Sequence, residues 1–382
     1  MTRTPHLAHG LSGDELPPDW PALSEREVRT LLAGYAPHAG QAHIAWHSPR
    51  PLSAAALVEM PGRCVFVKRH HRSVRSVATL REEQQFAAHV RARGIPVPEL
   101  LADARGHTAV EQGEWVYEVQ SRARGVDAYR EAYSWSPVGG PAQAFSAGAM
   151  LAGLHLAATG YAAPQRDTHI LVARADVLSA PDPVAALERQ LHARPALAQY
   201  LEGREWRREM TAVLAPWQER CAAAIALQPR LWTHGDWHVS NLYWSGSDVH
   251  SHITDVLDFG LSAETFALFD LATAIERNAI AWLELGDADT ASMAIGRVDL
   301  ALALIAGYAS GRPVGEADRR LLADLLPIVH VDFALSEVEY FEGVTRRHDH
   351  ADVAWETFLL GHAAWFSTTH GQHFLDAIRH AT

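Results

Sequence analysis

Lysine is almost missing from this 382-residue chain: Lys68 is the single lysine among 33 basic residues, and the others are arginine. Cysteine is nearly as scarce. Cys64 and Cys221 are too few for a disulfide framework, and no CxxC pair or zinc-finger spacing occurs, which fits a reduced cytoplasm. No apolar run approaches the roughly 20 residues that cross a bilayer. The opening MTRTPHLAHGLSGDELPPDW lacks the apolar stretch of a signal peptide. The expectation is a soluble, cytoplasmic protein without a membrane partner. Basic charge is short as well: 45 acidic against 33 basic residues give a net charge of −12. That argues against nucleic acid or an anionic membrane as the main partner. A plain solubility charge and a preference for cationic or metal-complexed ligands both fit it. Oligomeric state leaves no mark in the sequence.

What is present suffices for two lobes, each with its own core. Ser24 and Glu27 make a capping box at the start of a short helix over 24–35. AHIAW (42–46), AAALVEM (54–60), CVFVKRH (64–70) and WVYEVQ (115–120) read as strands, with PGR (61–63) as a hairpin turn. Residues 76–93 carry a helical pattern closed by Gly94, and Pro96 and Pro98 force an extended exit. Beyond Arg122 the pattern is helical at 147–159, 182–202, 205–227, 265–285, 291–310, 316–341 and 353–368. Only LYW (242–244) and ITDVLDF (253–259) interrupt it as strands. The expected fold class is α+β in two lobes. Residues 1–122 give a small antiparallel sheet with one inserted helix, and residues 123–382 a mainly helical lobe. The cleft between them is the natural ligand site.

The stretch THGDWHVSN (233–241) concentrates polar chemistry. His234 and His238 suggest paired metals in a phosphoesterase, but such sites need further ligands and no GNH triplet occurs. A mere polar turn predicts no partner element at a set distance. Here Asn241 follows Asp236 by five positions, and Asp258-Phe259-Gly260 begins 17 residues after Asn241. Phosphoryl transfer by kinases uses this spacing, H-x-D-x-x-x-x-N followed by DFG. Asp236 suits the acceptance of a hydroxyl proton, while Asp258 and Asn241 offer oxygen ligands to a hard cation such as Mg²⁺. His234 fits a bracing role, and His238 either solvent or substrate. Lys68, in VFVKRHH, supplies the cation that ATP phosphates require. Its expected ion-pair partner is Glu83, with the neighbouring Glu82 facing solvent.

On these residues the chain resembles the aminoglycoside phosphotransferase/choline kinase family of small-molecule kinases, over roughly 25–370. The resemblance is carried by VFVKRHH, REEQQFAAHVRARGIPVPELL, WVYEVQ, LAGLHLAA, HGDWHVSNLYW and VLDFGLSAETFALFDLATAIE. It implies a protein-kinase-like bilobal fold, a Lys68–Glu83 pair bridging the lobes, and backbone contacts to adenine from Glu118, Val119 and Gln120. It also implies Asp236 as the catalytic aspartate, Asn241 and Asp258 as magnesium ligands, and Asp270 as a structural anchor. One departure is plain: the first hairpin, HSPRPLSAAALV (47–58), has no glycine.

The implied partner is a small molecule with an acceptor hydroxyl. Glu276, Asp332, Glu337 and Glu339 on late helices, together with His238, are candidate acceptor contacts, and their carboxylates suit an amine. Glu337 and Glu339, two apart on one helix, point to different faces, so only one of them enters the cleft. The alternatives are a non-catalytic nucleotide-binding pseudokinase and a metal-dependent phosphoesterase.

Overall fold

The alternating apolar residues of three strands put one face of a sheet against the short first helix. β3 (His43–His47), β4 (Ala54–Met60) and β5 (Arg63–His71) form a meander, and β6 (Ala109–Gln112) with β7 (Trp115–Ser121) completes a five-stranded antiparallel sheet in the order β3-β4-β5-β7-β6. This is a computed structural model describing residues 7–8, 11–12, 18–133, 135–248, 250–285 and 294–381. A two-stranded ribbon of β1 (Leu7–Ala8) and β2 (Leu11–Ser12) precedes the sheet. The expected capping box is present: Ser24 and Glu27 close the start of α1 (Glu25–Leu32). Glu27 also accepts hydrogen bonds from Arg69 and Tyr117 at 2.6 Å each, fastening α1 to the sheet. Val28, Leu31, Val58, Val65, Val67 and Val119 make one hydrophobic core there. α2 (Val77–Ala92) instead turns Phe86 and Val90 into the second, larger core.

That second core is helical. It is built from α3 (Pro141–Ala158), α4 (Pro183–Gln190), α5 (Pro195–Leu201), α6 (Trp206–Ala226), α7 (Ala267–Ala279), α8 (Val298–Gly311), α9 (Glu316–Leu325), α10 (Val331–Tyr340), α11 (His348–Val353), α12 (His362–Phe366) and α13 (Thr369–Arg379). Two expected long helices are each split. Pro195 starts a new helix within 182–202, and residues 326–330, containing Pro327, divide 316–341, because proline lacks the amide a helix interior needs. Of the stretch 291–310, residues 291–293 lie outside the described ones.

Four short strands carry the polar loops. β9 (Leu242–Trp244) and β10 (Ile253–Val256) pair as expected from LYW and ITDV. β8 (Arg230–Thr233) and β11 (Ala263–Phe266) also pair, antiparallel, so the segment from 265 opens as a strand and becomes helical at Ala267. The sheet ends at Ser121, and the linker that follows is pinned. Arg124 donates to Asp255 Oδ1 at 2.7 Å, and Val126 bridges to Trp244. Gly125, at φ 83°, fits between them because a Cβ there would lie 2.2 Å from the Trp244 carbonyl.

Candidate active site

The two antiparallel pairs β8–β11 and β9–β10 bring residues 233–241 and 257–261 side by side. The buried Asp270, on the first turn of α7, accepts the N–H groups of His234 and Gly235 at 2.9 Å each, and lies 3.0 Å from His155 Nε2. Burial alone would raise its carboxyl, but His155 and these N–H groups bring it below the usual range. Gly235 sits at φ 76°, and a Cβ would meet Leu261 O at 2.7 Å, so the turn before Asp236 requires glycine. His234 faces the Leu257 carbonyl through Nε2 at 2.8 Å and accepts from the Asp236 N–H, which braces the two loops together. Burial holds its imidazole below the ordinary value.

Asp236 points into the cleft with its side chain 21% exposed. Asn241 Nδ2 donates to its Oδ2 at 2.9 Å and to its carbonyl at 3.0 Å. Because both partners are acceptors, the amide must present nitrogen to them, which turns Asn241 Oδ1 to the other side as a neutral oxygen ligand. Asp258 lies at the end of the hairpin, and Lys68 Nζ reaches its Oδ1 at 2.9 Å. Burial acts to raise the Asp258 carboxyl, yet Lys68 and the Gly260 N–H outweigh it and bring it down to about 2. A carboxylate and an amide oxygen facing a cleft with a lysine beside them fit Mg²⁺ and the phosphates it accompanies.

Three expectations need correction. Lys68 pairs with Asp258 and not with Glu83. Glu83 is instead held by two guanidinium groups, Arg75 Nε at 3.1 Å and Arg166 Nη2 at 3.0 Å, whose several donors fix it more firmly than one ammonium can. Glu82 does not face solvent alone, since Arg166 Nε binds it at 2.7 Å. The third concerns Glu118, Val119 and Gln120, whose backbone lies inside the sheet. Val119 O accepts from Leu101 N at 2.8 Å, Ser121 N donates to Glu99 O, and β5 pairs along the other edge. Backbone outside this pairing begins at Arg122–Ala123. The Glu118 side chain is buried opposite Lys68 across the strands.

His70, Glu83 and Glu118 also gather three ligand-type atoms within 4.8 Å of one another. Lys68, Arg75 and Arg166 surround this cluster, so its carboxylates are neutralised without a metal.

On the acceptor side, α10 sorts its acidic residues by helical phase. Asp332, Ser336 and Glu339, at i, i+4 and i+7, all face the segment 171–194. Asp332 accepts the N–H groups of Val177 and Leu178 at 2.9 and 3.0 Å, Ser336 accepts that of Leu171, and Glu339 binds Arg194 at 2.6 Å. Asp332 and Glu339 are therefore structural ties and not cleft residues. Glu337 and Phe333 share the other face, close to Arg277. Glu276 is buried, 3.3 Å from His362 Nδ1, with its carboxyl pushed well up by burial and by Glu337. His238 is buried too, its Nε2 taking the Trp135 N–H at 2.8 Å.

Sequence reasoning missed Arg277. This buried arginine of α7 reaches Asp236 Oδ1 directly. Its neighbour Asn278 accepts from the Val239 N–H at 3.0 Å and donates to the Trp237 carbonyl at 2.7 Å. One helix thus holds the loop at residues 234–239 through Asp270, Arg277 and Asn278. The signal available in the sequence was the spacing within FDLATAIERN, where Asp270 and Arg277 lie seven apart on one helical face.

A sequence model described as the phosphotransferase enzyme family matches residues 53–314. Among curated proteins, none matches the chain significantly. Solved structures do. An aminoglycoside phosphotransferase from Alicyclobacillus acidocaldarius has 16% identity and a TM-score of 0.52, with 94% of this chain and 96% of that one covered. A microcompartment-associated aminopropanol kinase has 15% identity and a TM-score of 0.55, covering 92% of this chain and 100% of that one. Amicoumacin kinase, in complex with AMP-PNP, Ca²⁺ and Ami, has 14% identity and a TM-score of 0.54, with 94% of each chain covered. The fold common to all of them is the bilobal, protein-kinase-like one.

Proposed function

Because the chain belongs to the phosphotransferase enzyme family and is a small-molecule kinase, we propose that it moves the γ-phosphate of ATP, with Mg²⁺, to a hydroxyl of a small, amine-bearing molecule. Residues 1–122 act as the nucleotide lobe and residues 123–382 carry the catalytic loop and the acceptor side. The observation that carries this reading is the convergence of four side chains from three separate segments. Lys68 Nζ lies 2.9 Å from Asp258, and Asn241 Nδ2 lies 2.9 Å from Asp236.

Each residue has a part that its chemistry allows. Lys68 leaves Asp258 for the phosphate oxygens when nucleotide enters. Asn241 and Asp258 hold Mg²⁺, which neutralises charge on the phosphates when bound. Asp236 orients the acceptor hydroxyl and takes its proton. Glu83 keeps α2 in place through Arg75 and Arg166, and adenine meets the backbone after Ser121. Asp332 and Glu339 are engaged in the scaffold, so neither of them meets the amine of the acceptor. Retention of Lys68, Asp236, Asn241 and Asp258 together disfavours a non-catalytic module.

ATP consumption over a panel of aminopropanol, homoserine, amino sugars, spectinomycin and hygromycin B tests the proposal, with Asp236→Ala as control. At least one acceptor should raise turnover well above that control. If none does, the catalytic reading fails.

A further inference from the structure

Asp236 is gripped at both carboxylate oxygens. Asn241 donates to Oδ2 at 2.9 Å, and the Arg277 guanidinium meets Oδ1. Each oxygen keeps a second lone pair, so the carboxylate can still accept a proton. Rotation about the bond to its carboxyl carbon is blocked.

Arg277 is itself immobile. It is 4% exposed, with Trp135 and Phe333 ring centroids 4.6 and 5.0 Å from its guanidinium carbon and Glu276 Oε2 at 3.9 Å from Nε. It also belongs to α7, the helix that fixes the loop backbone through Asp270 and Asn278. Burial acts against its charge, pulling the guanidinium down to about 10. Buried charge is a weak source of stability, so an arginine at this point is better explained by the carboxylates it faces, Asp236 by direct contact and Glu337 through its charge.

We propose that Arg277 is the positioning residue of Asp236, holding the carboxylate at the angle from which it receives the proton of the attacking hydroxyl. The proposal rests on the kinase reading above. In the step it serves, the hydroxyl oxygen bonds to the γ-phosphorus, its proton passes to Asp236, and the bond from γ-phosphorus to the bridging oxygen of ADP breaks. Such a transfer needs the oxygens about 2.6–3.2 Å apart, and a misplacement of ~1 Å costs on the order of 10²-fold in rate. The contacts of Arg277 are to Asp236, Glu276, Trp135 and Phe333, none of them a residue proposed to hold nucleotide or magnesium, so its removal should leave nucleotide binding intact.

The experiment compares wild type, Arg277→Met, Arg277→Lys, Asp236→Ala and the Asp236→Ala/Arg277→Met double variant. It reads Mg·ATP affinity by fluorescence titration, and ADP formation with water and with each acceptor of the panel above. Arg277→Met should bind Mg·ATP within about twofold of wild type yet lose on the order of 10²-fold in kcat. Arg277→Lys, which keeps the charge and guards against a folding failure of the methionine variant, should recover part of that loss. In the Asp236→Ala background, Arg277→Met should have no further effect, because its action runs through the missing carboxylate. Wild-type turnover in Arg277→Met, or a full additional loss in the double variant, overturns the proposal. Absence of wild-type turnover above Asp236→Ala would overturn the kinase reading instead, and the proposal with it.

Discussion

Asp258 adopts φ 53°, a left-handed backbone that few side chains tolerate. Aspartate manages it because its carboxylate accepts the N–H of Gly260 two residues on, at 3.2 Å, closing a local turn. The result is a carboxylate held out of regular structure and aimed at Lys68. Replacement of Asp258 by alanine should therefore abolish the Mg²⁺-dependent part of nucleotide affinity: chelation with EDTA weakens ADP binding in wild type by about tenfold or more and leaves Asp258→Ala unaffected. Asp332 gives a pH signature. Its carboxyl rises from 3.8 to about 7, driven by burial and by Asp176, against the pull of two backbone N–H groups. Between those values the folded chain keeps a proton that the unfolded chain has lost, so rising pH favours unfolding at this group. The stability gap between wild type and Asp332→Asn, from urea titrations, should shrink as pH climbs from about 4 to about 7 and stay flat above.

At the level of elements, α7 decides the shape of the loop at residues 234–239. Asn278 satisfies a buried N–H and a buried carbonyl in that loop, and its own helix accepts a third bond at Ala274. Asn278→Ala strands both loop groups and should cost about 2–5 kcal/mol in denaturant unfolding. Gly125→Ala should cost about 1–3 kcal/mol, because a Cβ at φ 83° runs into the β9 backbone. The loops themselves were legible in the sequence, since Asp236, Asn241 and Asp258 keep short, fixed spacings within one hairpin. Lys68 stood out by its rarity. Arg75 and Arg166 were not legible: an arginine reaches far, and Arg166 meets Glu83 across 83 positions with no local pattern to mark it. The acidic residues of α10 show the same limit. Their phase separates Asp332 and Glu339 from Glu337, but which face meets the cleft is settled only by packing. The pairing of β8 with β11 escaped for a related reason, because four residues are too few to show alternation.

Among the described residues, two large hydrophobic cores and a small cluster of Leu80, Ala109 and Val116 are joined by a pinned linker and the Arg75–Glu83–Arg166 clamp. The clamp ties α2 to the carbonyl of Gly260, beside Asp258, so the helix of the sheet lobe is anchored to the loop that carries Asp258. Ligand entering between the lobes should stabilise both. With Mg·ADP at about 100 times its dissociation constant, unfolding should become harder by about 2.7 kcal/mol, visible as a shift in the urea midpoint. In the proposed function, Asp236, Asn241, Asp258 and Lys68 form a working phosphoryl-transfer site. Phosphorus NMR of protein, Mg·ATP and a hydroxyl acceptor tests it most directly. Wild type should convert the γ-phosphorus resonance into that of a phosphomonoester, and Asp236→Ala should not. An unchanged ATP spectrum with every acceptor, or the same ester formed at the same rate by Asp236→Ala, would contradict the account.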